Sequence, residues 1–181
     1  MDTSIYLKKY IASLASILME VDEDSFLKLI KTLSKIKYNK SKIYISGNGG
    51  SASIASHVSV DFSKSLGLNS LTFNESSLIT CFANDYGYEN WLSNCITKVC
   101  SKKDTLILIS SSGTSKNILN AAKTANKIGM NLITFSGFSE KNPLRKKGKL
   151  NFWVDSNSYN FVEASHLIIL LSAIDFLKQE K

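Results

Sequence analysis

Two short stretches of the chain concentrate residues that could do chemistry. The first is Ser46-Gly47-Asn48-Gly49-Gly50-Ser51-Ala52-Ser53, and the second is Ser110-Ser111-Ser112-Gly113-Thr114-Ser115. Glycines in the first let the backbone turn tightly and come close to a ligand. A helix that starts there points its free N–H groups at an anion. The second stretch sets five hydroxyls around one glycine, a neutral cup rich in donors. One hydroxyl is enough to cap a helix. Five of them, beside helix N–H groups, suit a phosphate monoester. The first stretch lacks the Gly-Lys-Ser/Thr of a P-loop, and its glycine spacing differs from the dinucleotide fingerprint.

Both stretches need a buried strand before them and a helix after them. Ile43-Tyr44-Ile45 precedes the first, and residues 51–64 carry a helical pattern behind it. Thr105 to Ile109, apolar at nearly every position, precedes the second, as expected of a strand covered on both faces. Behind it, residues 115–128 read as a helix that stops at Gly129. Further strands are expected at residues 71–73, 132–135 and 152–154, and further helices at 76–84, 88–100 and 159–179. Strands alternating with helices in this way predict an α/β fold with a doubly wound parallel sheet. Ligands of such sheets sit at the carboxyl ends of the strands. Ahead of this body, residues 1–40 read as a helical pair. Leu7, Ile11, Leu14 and Leu18 share one face, Asp22 is a candidate N-cap, and Phe26, Leu29, Ile30 and Leu33 form the second stripe. Such a stripe must pack on the rest of the domain or on another subunit. The expected division is an N-terminal extension over 1–40 and an α/β body over 41–181, in one structural unit.

The length of 181 residues suits one ordinary domain. With 44% apolar and 20% charged residues, the composition is that of a folded chain rather than a disordered one. No apolar run reaches the roughly 18 residues that span a bilayer, and Met1-Asp2-Thr3-Ser4 lacks a signal-peptide layout. No membrane is therefore expected. Cys81, Cys95 and Cys100 show no metal-type spacing, and a reducing cytoplasm is the default reading. The net charge of +7 is mostly lysine spread along the chain, densest at Lys141, Arg145, Lys146, Lys147 and Lys149. No RNA-binding motif or zinc-finger spacing accompanies it, so it reads as a solvated face and not as a nucleic-acid surface.

Gly47-Asn48-Gly49-Gly50-Ser51 and Ser110-Ser111-Ser112-Gly113-Thr114-Ser115 resemble the two signature loops of the sugar isomerase (SIS) domain. With Ala83-Asn84-Asp85-Tyr86-Gly87-Tyr88 between them, the chain is most similar to the phosphoheptose isomerase group. That group interconverts sedoheptulose 7-phosphate and an aldoheptose 7-phosphate, and the similarity runs over nearly the whole chain. It implies a flavodoxin-like SIS fold, a sugar-phosphate substrate and a role in heptose precursors of surface polysaccharide. By the same resemblance, Ser110, Ser112 and Ser115 hold the phosphate. Ser111, Asn48, Gly49, Ser51 and Asp85 contact the substrate.

The family's zinc ligands are a His and a Glu one turn apart after the first loop, then a Gln and a His eight residues apart on the last helix. The matching positions here are His57, Asp61, Glu163 and Leu171. The resemblance thus implies zinc on His57, Asp61 and Glu163, with Asp61 and Glu163 as candidate acid/base groups. Leu171 can neither bind metal nor move a proton. His166 shares a helix face with Glu163 and is expected to be structural. The loss at Leu171 leaves a second reading open, a non-catalytic member that binds phosphosugars or proteins. The family is homotetrameric with sites at subunit interfaces, so a tetramer built on the N-terminal helices is expected.

Overall fold

Asp2 starts the first helix, α1 (Thr3–Met19), by accepting hydrogen bonds from the N–H groups of Ser4 and Ile5 at 2.9 and 3.3 Å. This computed structural model describes residues 2–179. Met1, Glu180 and Lys181, inside the ranges expected above, lie outside the described residues. Asp22 caps α2 (Glu23–Asn39), accepting from Ser25 N–H at 2.8 Å. That hydrogen bonding holds its carboxyl below the usual range. The two helices differ in what they bury. Leu29 and Leu33 of α2 are fully buried, with Ile30 and Ile36 beside them. α1 buries no residue, and Leu7 and Ile11 of its stripe remain 57% and 56% exposed. Within one chain, the α1 stripe is therefore covered only toward its end, where Leu18 packs on the core, and Leu7 and Ile11 are left bare.

The body runs β1 (Lys42–Gly47), α3 (Gly50–Leu66), β2 (Asn69–Thr72), α4 (Ser76–Tyr86), α5 (Trp91–Val99), β3 (Thr105–Ser110), α6 (Lys116–Ile128), β4 (Asn131–Ser136), β5 (Leu150–Trp153) and α7 (Tyr159–Gln179). The five strands pair in the order β2-β1-β3-β4-β5, all parallel. Phe73 and Val154, expected in strands, fall just past the ends of β2 and β5.

Alternation along the strands sends side chains to two cores. Ile43, Ile45, Ile107, Ile109, Ile133 and Phe135 face α2, α3 and α7. Tyr44, Leu106, Leu108 and Leu132 face α5 and α6. Both faces of the central strands are thus covered, which explains their unbroken apolar runs. The order 2-1-3-4-5 reverses direction between β1 and β3, and a crevice opens there at the carboxyl ends.

α7 corrects one expectation. By length and composition it could cross a membrane, with a mean hydropathy of 1.5 over its best window. Glu163, His166 and Asp175 punctuate it, so no uninterrupted apolar run marks it in the sequence. Its hydropathy serves the core instead: Val162, Ile169, Leu170, Ala173 and Ile174 are buried in the fold.

Candidate active site

β1 and β3 lie side by side, so the two loops that follow them meet at the crevice. Between them is a cavity of about 300 Å³, lined by Asn48, Gly49, Gly50, Ser51, Ser110, Ser111, Ser112, Ser115, Tyr159 and Glu163. A cleft of about 390 Å³ near Leu33, Lys37, Tyr38 and Leu177 is larger and mainly apolar, and it lies away from the two loops.

Each loop is shaped by what it must avoid. Gly49 is the N-cap of α3 at φ 54° and ψ −124°, a region that suits glycine. Gly113 sits at φ 66°, and a Cβ there would meet the side chain of Asn142. Asn142 is 2% exposed and braces this loop from the β4 side. Its Nδ2 donates to the carbonyls of Ser139 and Gly137 at 2.8 and 3.2 Å, and its Oδ1 accepts from Arg145 N–H at 3.0 Å. Leu144 N–H donates to Gly113 O at 3.2 Å.

Anion recognition follows from the groups left available. Carboxylates cap α1, α2 and α4, whereas α3, α5 and α6 carry no side-chain cap. The uncapped N-termini of α3 and α6 open at the cavity, where the helix dipoles favour negative charge. Ser110 Oγ donates to Ser115 Oγ at 3.4 Å, and Ser112 Oγ lies 3.0 Å from Thr114 Oγ1. Ser111 Oγ is buried with no partner, a donor without an acceptor. Four serines and two helix starts thus converge where a phosphate fits.

Glu163 brings a carboxylate to the same cavity from α7. It packs so closely on Gly50 that any Cβ at residue 50 would collide with it. Tyr159, one turn earlier, is the cavity's aromatic wall and packs at a tilt against Phe138 with ring centroids 4.7 Å apart. Phe138 itself holds φ 57°, a backbone conformation that bulky residues rarely adopt.

His166 does not line the cavity. It is fully buried, and burial pushes its pKa down to about 4. The neutral ring donates from Nε2 to the Ser136 carbonyl at 3.1 Å, which ties α7 to the end of β4. Two thiols are held protonated: burial pushes Cys95 up to about 11 and Cys100 to about 12.

The expected trio of His57, Asp61 and Glu163 is not brought together. His57 Nε2 and Asp61 Oδ2 pair at 3.3 Å on the surface of α3. Glu163 instead meets the first residue of that helix. Seven and eleven residues separate Gly50 from His57 and Asp61, roughly 10 and 16 Å of helix axis. No group of three His, Cys, Asp or Glu side chains able to hold a metal occurs among the described residues. Asp85 also lies outside the residues lining the cavity. It is exposed, and its carboxylate accepts from Asn84 Nδ2 at 3.0 Å. Leu171 is half-buried and packs against the core of α2, α3 and α7.

Two residues at the site went unmarked in the sequence: Tyr159 and Asn117. Tyr159 lines the cavity. Asn117, in the first turn of α6, is 2% exposed and exchanges two hydrogen bonds with Asn48. A signal for it was present. It stands four residues before Ala121 and eight before Ala125, a polar residue on an otherwise apolar stripe.

Comparison with known proteins agrees with this architecture. The SIS domain family model matches residues 6–137. A phosphoheptose isomerase from Helicobacter pylori (strain P12) is 31% identical over 179 residues, covering 96% of this chain and 88% of that protein. A probable phosphoheptose isomerase from Thermoplasma acidophilum is 29% identical, covering 90% and 92%. Among solved structures, a phosphoheptose isomerase from Francisella tularensis superposes with a TM-score of 0.86 at 22% identity, covering 99% of this chain and 100% of that one. Phosphoheptose isomerase GmhA from Neisseria gonorrhoeae gives 0.87 at 21% identity, covering 97% and 98%. Those two likenesses speak for the fold, and the sequence matches speak for kinship. With its two loops, its parallel sheet and its full-length relatives, the chain belongs to the SIS domain family, in the phosphoheptose isomerase group.

Proposed function

We propose that this chain is a phosphosugar aldose–ketose isomerase acting on sedoheptulose 7-phosphate, at the start of heptose supply for surface polysaccharide. The observation that carries the reading is the serine cup between two uncapped helix starts, with the Glu163 carboxylate at its border. The cup holds the phosphate through Ser110, Ser112 and Ser115, with Ser111 Oγ as a further donor. Asn48, Gly49 and Ser51 meet the sugar from the facing loop.

The reaction moves one proton between neighbouring carbons. A carboxylate takes a proton from C1 of the ketose while the C2 carbonyl oxygen gains one, giving an enediol. The C1 hydroxyl then gives up its proton and C2 receives one, which leaves the aldose with no net change in protons. Glu163 is the proposed base because it is the carboxylate that lines the cavity. Asp61 is the second candidate, one methylene shorter than a Glu and further along α3.

His57 and Asp61 supply two donors, fewer than the three or four protein ligands zinc usually takes. One chain therefore does not make a full zinc site. Zinc shared with a neighbouring copy is the reading this exposed pair supports, in a homotetramer built on the bare α1 face. A reducing cytoplasm agrees with three free cysteines.

The test is to incubate purified protein with sedoheptulose 7-phosphate, with and without zinc, and to look for the aldose. Aldose formation that Glu163→Gln abolishes is the expected result. No aldose in either condition overturns the isomerase, and retained binding without turnover would mark the non-catalytic phosphosugar binder that Leu171 leaves open.

A further inference from the structure

Asn48 and Asn117 face each other across the crevice as a reciprocal amide pair. Asn48 Nδ2 donates to Asn117 Oδ1 at 3.0 Å, and Asn117 Nδ2 donates to Asn48 Oδ1 at 2.8 Å. Turning either amide over would set donor against donor and acceptor against acceptor, so each fixes the orientation of the other. Asn117 is 2% exposed, and its position on the stripe of α6 with Ala121 and Ala125 holds it firmly. Asn48 is half-buried and borders the cavity.

A count of hydrogen-bonding capacity then says what Asn48 can offer a ligand. Its Oδ1 has two acceptor sites. One takes the Asn117 donor, and the Tyr88 hydroxyl approaches the same oxygen at 3.5 Å. Its Nδ2 has two hydrogens, and one is given to Asn117. The second N–H is what remains. A ligand in this cavity therefore meets Asn48 as a donor and must present an oxygen that accepts, such as a hydroxyl, carbonyl or phosphate oxygen.

The same helix holds the far side of the crevice. Asn120, one turn after Asn117, donates from Nδ2 to the Glu89 carbonyl at 3.0 Å and to Asn90 Oδ1 at 3.1 Å. The Tyr88 segment is thus pinned to α6 next to the loop it touches. α6 carries the second loop at its start, the brace of the first loop at its second residue, and the anchor of the 86–90 segment one turn on.

We infer that Asn117 is a positioning residue, which holds Asn48 with its free N–H toward the bound sugar phosphate. This rests on the function proposed above for the ligand but not for the amide pair, so the two can fail separately. The experiment compares wild type, Asn117→Ala, Asn48→Ala and the double variant. Thermal melting verifies that each is folded. With sedoheptulose 7-phosphate, Asn117→Ala should raise KM by about 5–10-fold, the usual worth of one neutral hydrogen bond, with little change in kcat. The penalty should vanish when Asn48 is already Ala, because a residue that acts through another has no effect without it. An unchanged KM, or a penalty that adds in full to that of Asn48→Ala, overturns the inference.

A ligand-free measurement covers the case in which wild type does not use this substrate. By NMR, the Asn48 side-chain amide should exchange slowly in wild type and rapidly in Asn117→Ala. Equal exchange in both overturns the inference whatever the substrate is.

Discussion

At the carboxyl ends of β1 and β3, two loops and the start of α7 close around a cavity whose polar groups are braced from behind. Two to three turns along α3, His57 and Asp61 stand on the surface with 53% and 30% of their side chains exposed. The first region gathers its lining from two loops and α7 of one chain. Glycine turns, a buried Asn142, a buried His166 and the Asn48–Asn117 pair all fix it before any ligand arrives. The second has two donors and nothing behind them but a helix face. The contrast separates two regions: the cavity is shaped by the fold itself, while any metal chemistry depends on groups this chain does not bring to the pair by itself.

The largest expected effect tests how rigid the bound side is. Gly113→Ala puts a side chain at φ 66° and drives its Cβ into Asn142. The left-handed backbone and the overpacking together should cost roughly 2–5 kcal/mol, read as a lower urea midpoint. A variant as stable as wild type would mean that the second loop yields more easily than its braces suggest.

His166 gives the next effect and a sign. Its folded pKa of about 4 lies below the ordinary 6.5. Its contribution is therefore full above pH 6.5 and is lost as pH falls toward 4, because the unfolded chain takes up a proton that the folded one refuses. The loss should reach up to about 3 kcal/mol. Urea unfolding of wild type and His166→Gln at pH 7 and pH 4.5 isolates it, and the variant should lack this part of the slope. Parallel slopes would show that His166 is not held neutral.

The cup itself comes third. Ser112→Ala with Ser115→Ala removes two donors and should weaken sugar-phosphate binding by about 1–3 kcal/mol in calorimetry. Undiminished affinity would move the phosphate elsewhere. The smallest effect belongs to the exposed pair. His57→Ala should change stability by no more than about 0.5 kcal/mol, while lowering the zinc that copurifies. A large stability loss with no change in zinc would erase the contrast between the two regions.

Much of this was legible in the residues. Apolar runs such as Thr105 to Ile109 mark buried strands because both faces are covered, and glycine and serine clusters mark the turns that expose helix N–H groups. The last helix reads clearly over Tyr159–Gln179 because its pattern is long. What spacing could not show was distance in space. His57 and Asp61 sit four apart and must share a helix face. Nothing in one-dimensional spacing says that Glu163 meets that helix at its first turn rather than its third. Asp85 failed to reach the cavity for the same reason. Asn117 went unread because a polar residue inside an apolar stripe shows its purpose only when its partner, 69 positions away, is in view.

The bare face of α1 also has a consequence in time. Tertiary packing supplies most of a helix's stability, and α1 buries no residue, meeting the body where Leu18 packs on the core and where Tyr10 meets Phe161, ring centroids 4.6 Å apart. In a dilute solution its backbone amides should open and exchange far sooner than those of β3, which lie between two cores. At higher concentration, a second copy covering Leu7 and Ile11 would slow them while β3 stays as it was. The exchange lifetime of α1 is then a clock for association, set by protein concentration rather than by the stability of the fold.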